Sequence, residues 1–191
     1  MLLLYYDDEA LFRRFSDVLC RAILTRARVF DEESGFTPET APRGWGWADD
    51  NSCLFTPDMY EAFAMPIHRA VFGYYSPDAK DRRYQHSDSA MGHLLPLIGE
   101  LNMTGANFGP TISAADIRRY CPNAVIYGQL APFTYSRNET ANSVAEFLRD
   151  FDLTRETRGL NFATAGSVNN GTLLTSMRLV MAAIQRYGRF Q

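Results

Sequence analysis

Three acidic residues and one histidine have types and spacing suited to acid–base chemistry. Asp49 and Asp50 follow the apolar residues 44–48, and His86 and Asp88 follow a second short strand pattern. An imidazole titrates near neutral pH, and two close carboxyl groups raise the pKa of one of them, so this set can exchange protons. Neighbouring side chains on a strand point to opposite sides, so at most one of Asp49 and Asp50 shares a space with His86, and we favour Asp50. The sequence predicts Asp50, His86 and Asp88 as catalytic residues.

These three residues also have other interpretations that the sequence leaves open. His86 can hydrogen-bond a backbone carbonyl, and Asp88 can cap the helix that follows it. The same oxygen and nitrogen atoms can instead bind a divalent metal ion.

Amide side chains occupy comparable positions further along the chain. Asn107 lies near the end of the third strand pattern, Gln129 follows the fourth, and Asn161 lies on the fifth. An amide offers both a donor and an acceptor to a polar ligand. We predict that these three residues, together with Asp49, contact the substrate.

The other histidines and the cysteines are expected to be structural. His68 and His93 fall inside helical patterns, where packing or surface roles are more common. Cys20, Cys53 and Cys121 are odd in number and widely spaced, so they predict neither a disulfide framework nor a CxxC site. Cysteines without a disulfide pattern are typical of a protein in a reduced, cytoplasmic setting.

Composition excludes several classes of protein. The 191 residues carry a net charge of −3, from 19 basic and 22 acidic side chains, so there is no basic excess to bind nucleic acid. Apolar residues make up 46% of the chain, as in ordinary globular proteins. The apolar runs are far shorter than the roughly 18 residues that span a bilayer, so no membrane association is expected. No secretory signal is visible at the start, in agreement with a cytoplasmic location.

The polar residues fall at the ends of strands that alternate with helices. Short strands are predicted over residues 44–48, 83–86, 105–108, 124–127 and 159–162. Amphipathic helices are predicted over residues 7–29, 56–71, 90–101, 113–120, 138–157 and 172–187. Thr56 followed by Pro57 is typical of a helix start, whereas Pro66 predicts a kink or an early end. Five strand–helix repeats with short connections predict parallel βαβ units.

Two architectures fit such repeats, a doubly wound sheet and a (β/α)8 TIM barrel. No GxGxxG or GxxxxGK[ST] motif follows a strand, so the nucleotide-binding sheet has no support. A barrel collects its chemistry at the carboxyl ends of successive strands, where the polar residues fall. Since a complete barrel has eight strands and about 250 residues, we predict a single domain over residues 1–191 that forms an incomplete barrel with about five parallel strands.

Five short motifs keep the order and spacing found in one enzyme superfamily from about residue 8 to residue 190. They are Trp47-Ala48-Asp49-Asp50 with Phe55-Thr56-Pro57, His86-Ser87-Asp88, Asn107-Phe108-Gly109-Pro110, Gly128-Gln129-Leu130-Ala131-Pro132, and Gly159-Leu160-Asn161-Phe162. With these motifs the chain resembles the C-terminal part of the uroporphyrinogen decarboxylase superfamily, whose members are (β/α)8 barrels. The resemblance implies a decarboxylase of porphyrin biosynthesis, or a corrinoid-dependent methyltransferase that uses zinc.

The chain departs from the superfamily at residues that carry its chemistry. Asp50 stands where the decarboxylases have a serine that contacts substrate, and Ala165 stands where their Gly-His-Gly motif has its histidine. In the methyltransferases zinc is held by His-x-Cys and a later Cys, and here Asp88 and Ala165 replace the two thiolates. We therefore expect no cofactor and no stoichiometric zinc, and assign zinc or a corrinoid only to the methyltransferase alternative.

The functional expectation is a carboxy-lyase that acts on a porphyrinogen or on another small acid. A relative of the corrinoid-dependent methyltransferases and a non-catalytic barrel fragment remain as alternatives. The open strand edges of a five-stranded segment predict self-association or pairing with an N-terminal barrel half.

Overall fold

The structure, a computed structural model, describes residues 1–189. Its strands are β1 (Trp45–Ala48), β2 (Arg83–Ser87), β3 (Gly105–Phe108), β4 (Val125–Leu130) and β5 (Leu160–Thr164). Its helices are α1 (Leu4–Asp7), α2 (Glu9–Glu33), α3 (Pro57–Tyr75), α4 (Leu95–Glu100), α5 (Ala114–Tyr120), α6 (Pro132–Ser136), α7 (Thr140–Thr154) and α8 (Leu174–Tyr187). Two 3₁₀ turns lie at Asn51–Leu54 and Gly92–Leu94.

All five strands are parallel and pair in chain order, each with the next. A doubly wound sheet reverses its strand order at a switch point, whereas a barrel keeps the chain order throughout. The prediction of a TIM-type α/β barrel is therefore confirmed. Within residues 1–189, β1 pairs with β2 alone and β5 with β4 alone, so the barrel is incomplete and has two open edges.

The strand register separates a helix-covered face from an open face. Gln85, Ala106 and Ile126 stand side by side on β2, β3 and β4 and are fully buried. His86 and Asn107 form the next row and point to the opposite side. We call this side the lumen face, because in a barrel the side away from the helices faces the axis. The lumen face comprises Ala48, Tyr84, His86, Asn107 and Tyr127.

Helices α2 and α3 pack together on the helix-covered side of β1. The Phe12 ring lies 4.9 Å from the Phe63 ring, measured between centroids, and Phe12 is fully buried. The Ser16 hydroxyl donates a hydrogen bond of 2.6 Å to the Phe63 carbonyl. An aromatic pair of this kind contributes about 1 kcal/mol beyond the area that it buries.

Helix α3 begins as predicted but does not shorten at its internal proline. The Thr56 hydroxyl accepts a backbone N–H of the first turn, and Pro57 takes the first helical position. Pro66 is exposed, and the helix continues beyond it to Tyr75. The buried side chains after the proline, among them Ile67 and Val71, pack in the core and hold the helix together.

Three other elements differ from the sequence prediction. The predicted helix over residues 90–101 is a 3₁₀ turn followed by the short α4, in which Pro96 lies in the first turn rather than in the interior. Strand β4 continues to Leu130, because its last residues pair with β5, so Gln129 lies within the strand and not after it. Helix α6 was not predicted. None of the helices in residues 1–189 is both long and apolar enough to cross a membrane.

Candidate functional site

The centre of the candidate site is a hydrogen bond between neighbouring strands. His86 on β2 is paired in register with Asn107 on β3, and their Nδ1 and Oδ1 atoms lie 2.7 Å apart. The Asn107 amide nitrogen donates to the Tyr127 carbonyl on β4, which orients the amide so that Oδ1 faces the imidazole. Since an amide oxygen only accepts, His86 carries a hydrogen on Nδ1, and Nε2 is the ring nitrogen left for other partners.

Two carboxylates complete this cluster from the loops after β1 and β2. Asp88 Oδ1 lies 3.5 Å from His86 Nε2, and the Asp88 side chain is 49% exposed. The Asp50 carboxylate accepts a hydrogen bond of 2.7 Å from the Asp88 backbone N–H, which holds the two loops together. The structure therefore brings Asp50, His86, Asp88 and Asn107 into one cluster at the carboxyl ends of the strands.

The loop after β5 reaches the same cluster. A methyl group added at Gly166 would lie 2.8 Å from Asp88 Oδ1, so the backbone approaches that carboxylate as closely as glycine permits. Strands β2 and β5 are separated in the sheet by two strands, and their loops meet only because the sheet curls. The curvature of a barrel is thus present in five strands.

Two predicted site residues lie away from this cluster, and a third stands apart on the lumen side. Asp49 points to the helix side, where the Ser52 hydroxyl donates to it at 2.5 Å and His68 Nε2 lies 3.8 Å from its other oxygen. Gln129 is buried and donates to the Gly109 and Ile112 carbonyls, so it fixes the loop after β3. Asn161 is exposed on β5 and is paired in register with Tyr127.

The floor of the lumen face holds an aromatic and cationic group that the sequence analysis missed. The Arg82 guanidinium lies 4.7 Å from the centroid of the Tyr84 ring, and that ring meets Tyr127 edge to face at 5.9 Å. A side chain at Gly46 would collide with Arg82, and one at Gly105 would press against both tyrosines, so the two glycines make room for the group. Burial is the main cause that raises the pKa of Tyr84.

These floor residues border a groove that runs up to the His86 cluster. Its volume is about 460 Å³, and Arg82, Tyr84, Asn107, Tyr127, Ala163 and Thr164 line it. Arg82, directly before β2, alternates with Tyr84 and His86 on that strand, and this alternation is the sequence signal that would have identified the floor.

The donor set does not fit zinc. Among residues 1–189, no group of three or more histidine, cysteine, aspartate or glutamate side chains is placed to hold a metal ion. Asp50 already binds the Asp88 backbone, and Cys121 is buried with its thiol pKa raised to about 11, mainly by that burial. Zinc sites need several convergent ligands, with deprotonated thiolates among the preferred ones.

Comparisons with known proteins support the fold and do not identify a family. No protein-family model and no curated protein matches the chain. Among solved structures, the chain is similar to a methyltransferase from Methanosarcina mazei, with a TM-score of 0.62 and 16% sequence identity. The similarity covers 79% of this chain and 44% of that chain, so the part matched is less than half of the neighbour's length. At this identity the likeness shows the fold alone.

Proposed function

We propose that the chain carries the acid–base part of a carboxy-lyase site of the uroporphyrinogen decarboxylase superfamily. The observation that carries the proposal is the 2.7 Å contact between His86 Nδ1 and Asn107 Oδ1, which leaves Nε2 free on the lumen face. A proton donor held by its second nitrogen and flanked by a carboxylate is suited to deliver a proton to a carbanion.

Each residue of the cluster then has a defined task. When the carbon–carboxyl bond breaks, CO₂ leaves and the electron pair stays on carbon, and protonated His86 gives its Nε2 proton to that carbon. Asp88, 3.5 Å from Nε2, stabilises the imidazolium before the transfer. Asp50 is a positioning residue, because its contact is to the Asp88 backbone.

The groove supplies the substrate contacts. Arg82 presents a guanidinium that pairs with a second carboxylate of the substrate, and the Tyr84 and Tyr127 rings provide a flat apolar wall. Asn107 borders this groove, and Asn161 stands on the neighbouring strand beside Tyr127. Asp49 and Gln129 are not assigned to substrate binding, because Asp49 faces the helix side and Gln129 fixes the loop after β3.

A closed lumen needs further strands beside β1 and β5. In a barrel every strand edge is paired, and the lumen is shielded from water by the whole ring. A second copy of this chain, or an N-terminal barrel half, would supply them.

The proposal is tested with uroporphyrinogen under reducing conditions, with products separated by their number of carboxyl groups. We expect decarboxylated products from the wild-type chain and a rate at least 100-fold lower for His86→Gln, as is usual for loss of a general acid. The control is His93→Gln, because His93 donates to the Phe55 carbonyl outside the lumen, and glutamine keeps a donor. Equal rates for His86→Gln and the wild type would disprove the role of His86.

Methyl transfer is the second candidate, and the named neighbour of similar fold favours it. Its test is the loss of methylcobalamin absorbance when a thiol acceptor and zinc are added. A His86-dependent transfer, together with about one bound zinc per chain, would replace the carboxy-lyase proposal.

A further inference from the structure

A second cavity lies beside the free edge of β1, on the far side of the Asp49–Asp50 turn from the lumen groove. Its volume is about 580 Å³, within the range of about 300–1,000 Å³ that is usual for small-molecule sites. Apolar side chains from the first residues of the chain, α2, β1, the segment before α3 and α3 itself form most of its wall, among them Leu3, Ile23, Phe55 and Ile67. The cavity is therefore suited to an apolar ligand of modest size.

A small polar group is built into this apolar wall. His68 is 3% exposed, and its ring stacks on Trp47 with 4.8 Å between centroids. His68 and Asp49 both line the cavity, and His68 Nε2 lies 3.8 Å from Asp49 Oδ2, beyond the roughly 3.2 Å limit of a good hydrogen bond. Ser52 donates to the other oxygen of Asp49 and so holds the carboxylate in place.

The hydrogen-bond pattern fixes which atoms donate and which accept. The buried Tyr60 hydroxyl lies 3.3 Å from His68 Nδ1, and burial raises the pKa of this tyrosine, so the hydroxyl keeps a proton that it can donate to Nδ1. The Asp49 carboxylate 3.8 Å from Nε2 can only accept, which favours the tautomer with its hydrogen on Nε2. Neutral His68 then carries its hydrogen on Nε2, directed towards the gap. Asp49 Oδ2 faces the same gap as an acceptor.

We propose that this cavity binds a small neutral molecule with an apolar body and one hydroxyl group. The hydroxyl oxygen accepts a hydrogen bond from His68 Nε2 and donates one to Asp49 Oδ2. An oxygen about 2.8 Å from each atom fits the 3.8 Å gap. This site uses none of Asp50, His86, Asp88 and Asn107, so its ligand binding is measured separately from the proposed decarboxylation.

Charged ligands fit the same gap poorly. A ligand carboxylate is repelled by the Asp49 carboxylate, and the hydrogens of an ammonium group are repelled by the Nε2 hydrogen of His68. Burial also lowers the pKa of His68 to about 4, so the imidazole stays neutral at physiological pH and cannot pair with an anion.

The test compares three probes with one apolar body: cyclohexylmethanol, cyclohexanecarboxylate and cyclohexylmethylammonium. The chain has two tryptophans, so a Trp45→Phe background leaves Trp47, in the cavity wall, as the fluorescent reporter. We expect saturable binding of the alcohol, at least tenfold tighter than that of either charged probe. Equal affinities for the three probes, or no saturation by the alcohol up to about 10 mM, would refute the proposal.

Variants assign the binding to the polar group. His68→Phe removes the donor and Asp49→Leu removes the acceptor, and each is expected to weaken alcohol binding about tenfold. The controls are His93→Gln, which keeps a donor to the Phe55 carbonyl, and Asp58→Leu. Both change residues outside the cavity wall and leave the affinity unchanged. Far-ultraviolet circular dichroism shows whether each variant folds. If His68→Phe or Asp49→Leu fails to fold, the alcohol affinity of the remaining variant tests the proposal. An affinity for the alcohol that falls as the protein concentration rises would show that a second copy covers the cavity, which also refutes the proposal.

Discussion

At the scale of single residues, the chemistry of the lumen cluster depends on which nitrogen of His86 carries hydrogen. Asn107 decides this, since its oxygen faces Nδ1 and its amide nitrogen is engaged by the Tyr127 carbonyl. Free imidazole has no such constraint, and its two tautomers exchange. In the proposed reaction the Asn107 amide therefore acts through the histidine.

Replacing Asn107 with leucine should release this tautomer. We expect the ¹⁵N shifts of the His86 ring to move from a single Nδ1–H pattern in the wild type to an averaged pattern in the variant. The chain has three histidines, so their ring signals can be separated in a long-range ¹H–¹⁵N spectrum. The His93 signals serve as the internal control, and an unchanged His86 pattern would show that Asn107 does not set the tautomer.

Buried His68 makes the free energy of unfolding depend on pH. Its pKa is lowered from 6.5 to about 4 by burial, so between these values the unfolded chain binds a proton that the folded chain does not. The free energy of unfolding contributed by neutral His68 is complete above pH 6.5. It is lost as the pH falls towards 4, at about 1.4 kcal/mol per pH unit. Urea unfolding at a series of pH values measures this slope.

His68→Phe is the matched comparison for the slope. Asp49 acts in the opposite direction, because burial raises its pKa and the folded chain takes up its proton first as the pH falls. We therefore expect the wild type to lose more stability than His68→Phe between pH 6.5 and pH 4. Parallel curves for the two proteins would contradict the burial of a neutral imidazole.

At the scale of elements, the loops after the strands bring the site together more than the strands do. Gly166 in the loop after β5 has a φ of +115° and packs against Asp88, whereas Gly35 after α2 has a φ of +81° and open space around it. Both backbones favour glycine, and only one of them is also crowded.

Alanine at these two glycines separates the two effects. Gly35→Ala is expected to cost about 1 kcal/mol from its φ angle, and Gly166→Ala about 2–3 kcal/mol because Asp88 must also move. Urea unfolding gives the two free energies, and the displaced Asp88 carboxylate should slow the proposed decarboxylation in Gly166→Ala alone. Equal costs would mean that the contact between the loops is not tight.

The sequence predicts the elements well because their signals are local. Capping residues, helical periodicity and short apolar runs locate all five strand starts within one residue, and the ends of the predicted strands point to His86 and Asp88 as candidates. The assignments of Gln129 and Asp49 rest on non-local facts. Gln129 lies within β4 because of pairing with β5, and Asp49 turns inward to a histidine on α3. No local pattern encodes either contact.

At the scale of the whole molecule, the open strand edges and the uncovered lumen face are the surfaces available to other protein chains. Asn161 and Ala163 on the edge strand β5 are exposed, as is Ala48 on β1. Unpaired edges of this kind recruit other strands.

We expect the chain to self-associate at micromolar concentration, as measured by sedimentation equilibrium. Ala163→Lys places a charge on the β5 edge and should shift the chain towards monomer. Val29→Lys, on the exposed side of α2, tests the helix surface instead. Dissociation by Val29→Lys alone would assign the contact to the helices, and a wild-type monomer would contradict association altogether.

The chain of hydrogen bonds from His86 through Asn107 to the Tyr127 carbonyl joins three adjacent strands. A slip of any one strand by a single residue turns its side chains to the other face and breaks this chain. The proposed proton donor, His86 oriented by Asn107, therefore forms only when β2, β3 and β4 are in register. A sheet with one strand shifted lacks this donor, so proton transfer by His86 would indicate that β2, β3 and β4 have folded in register.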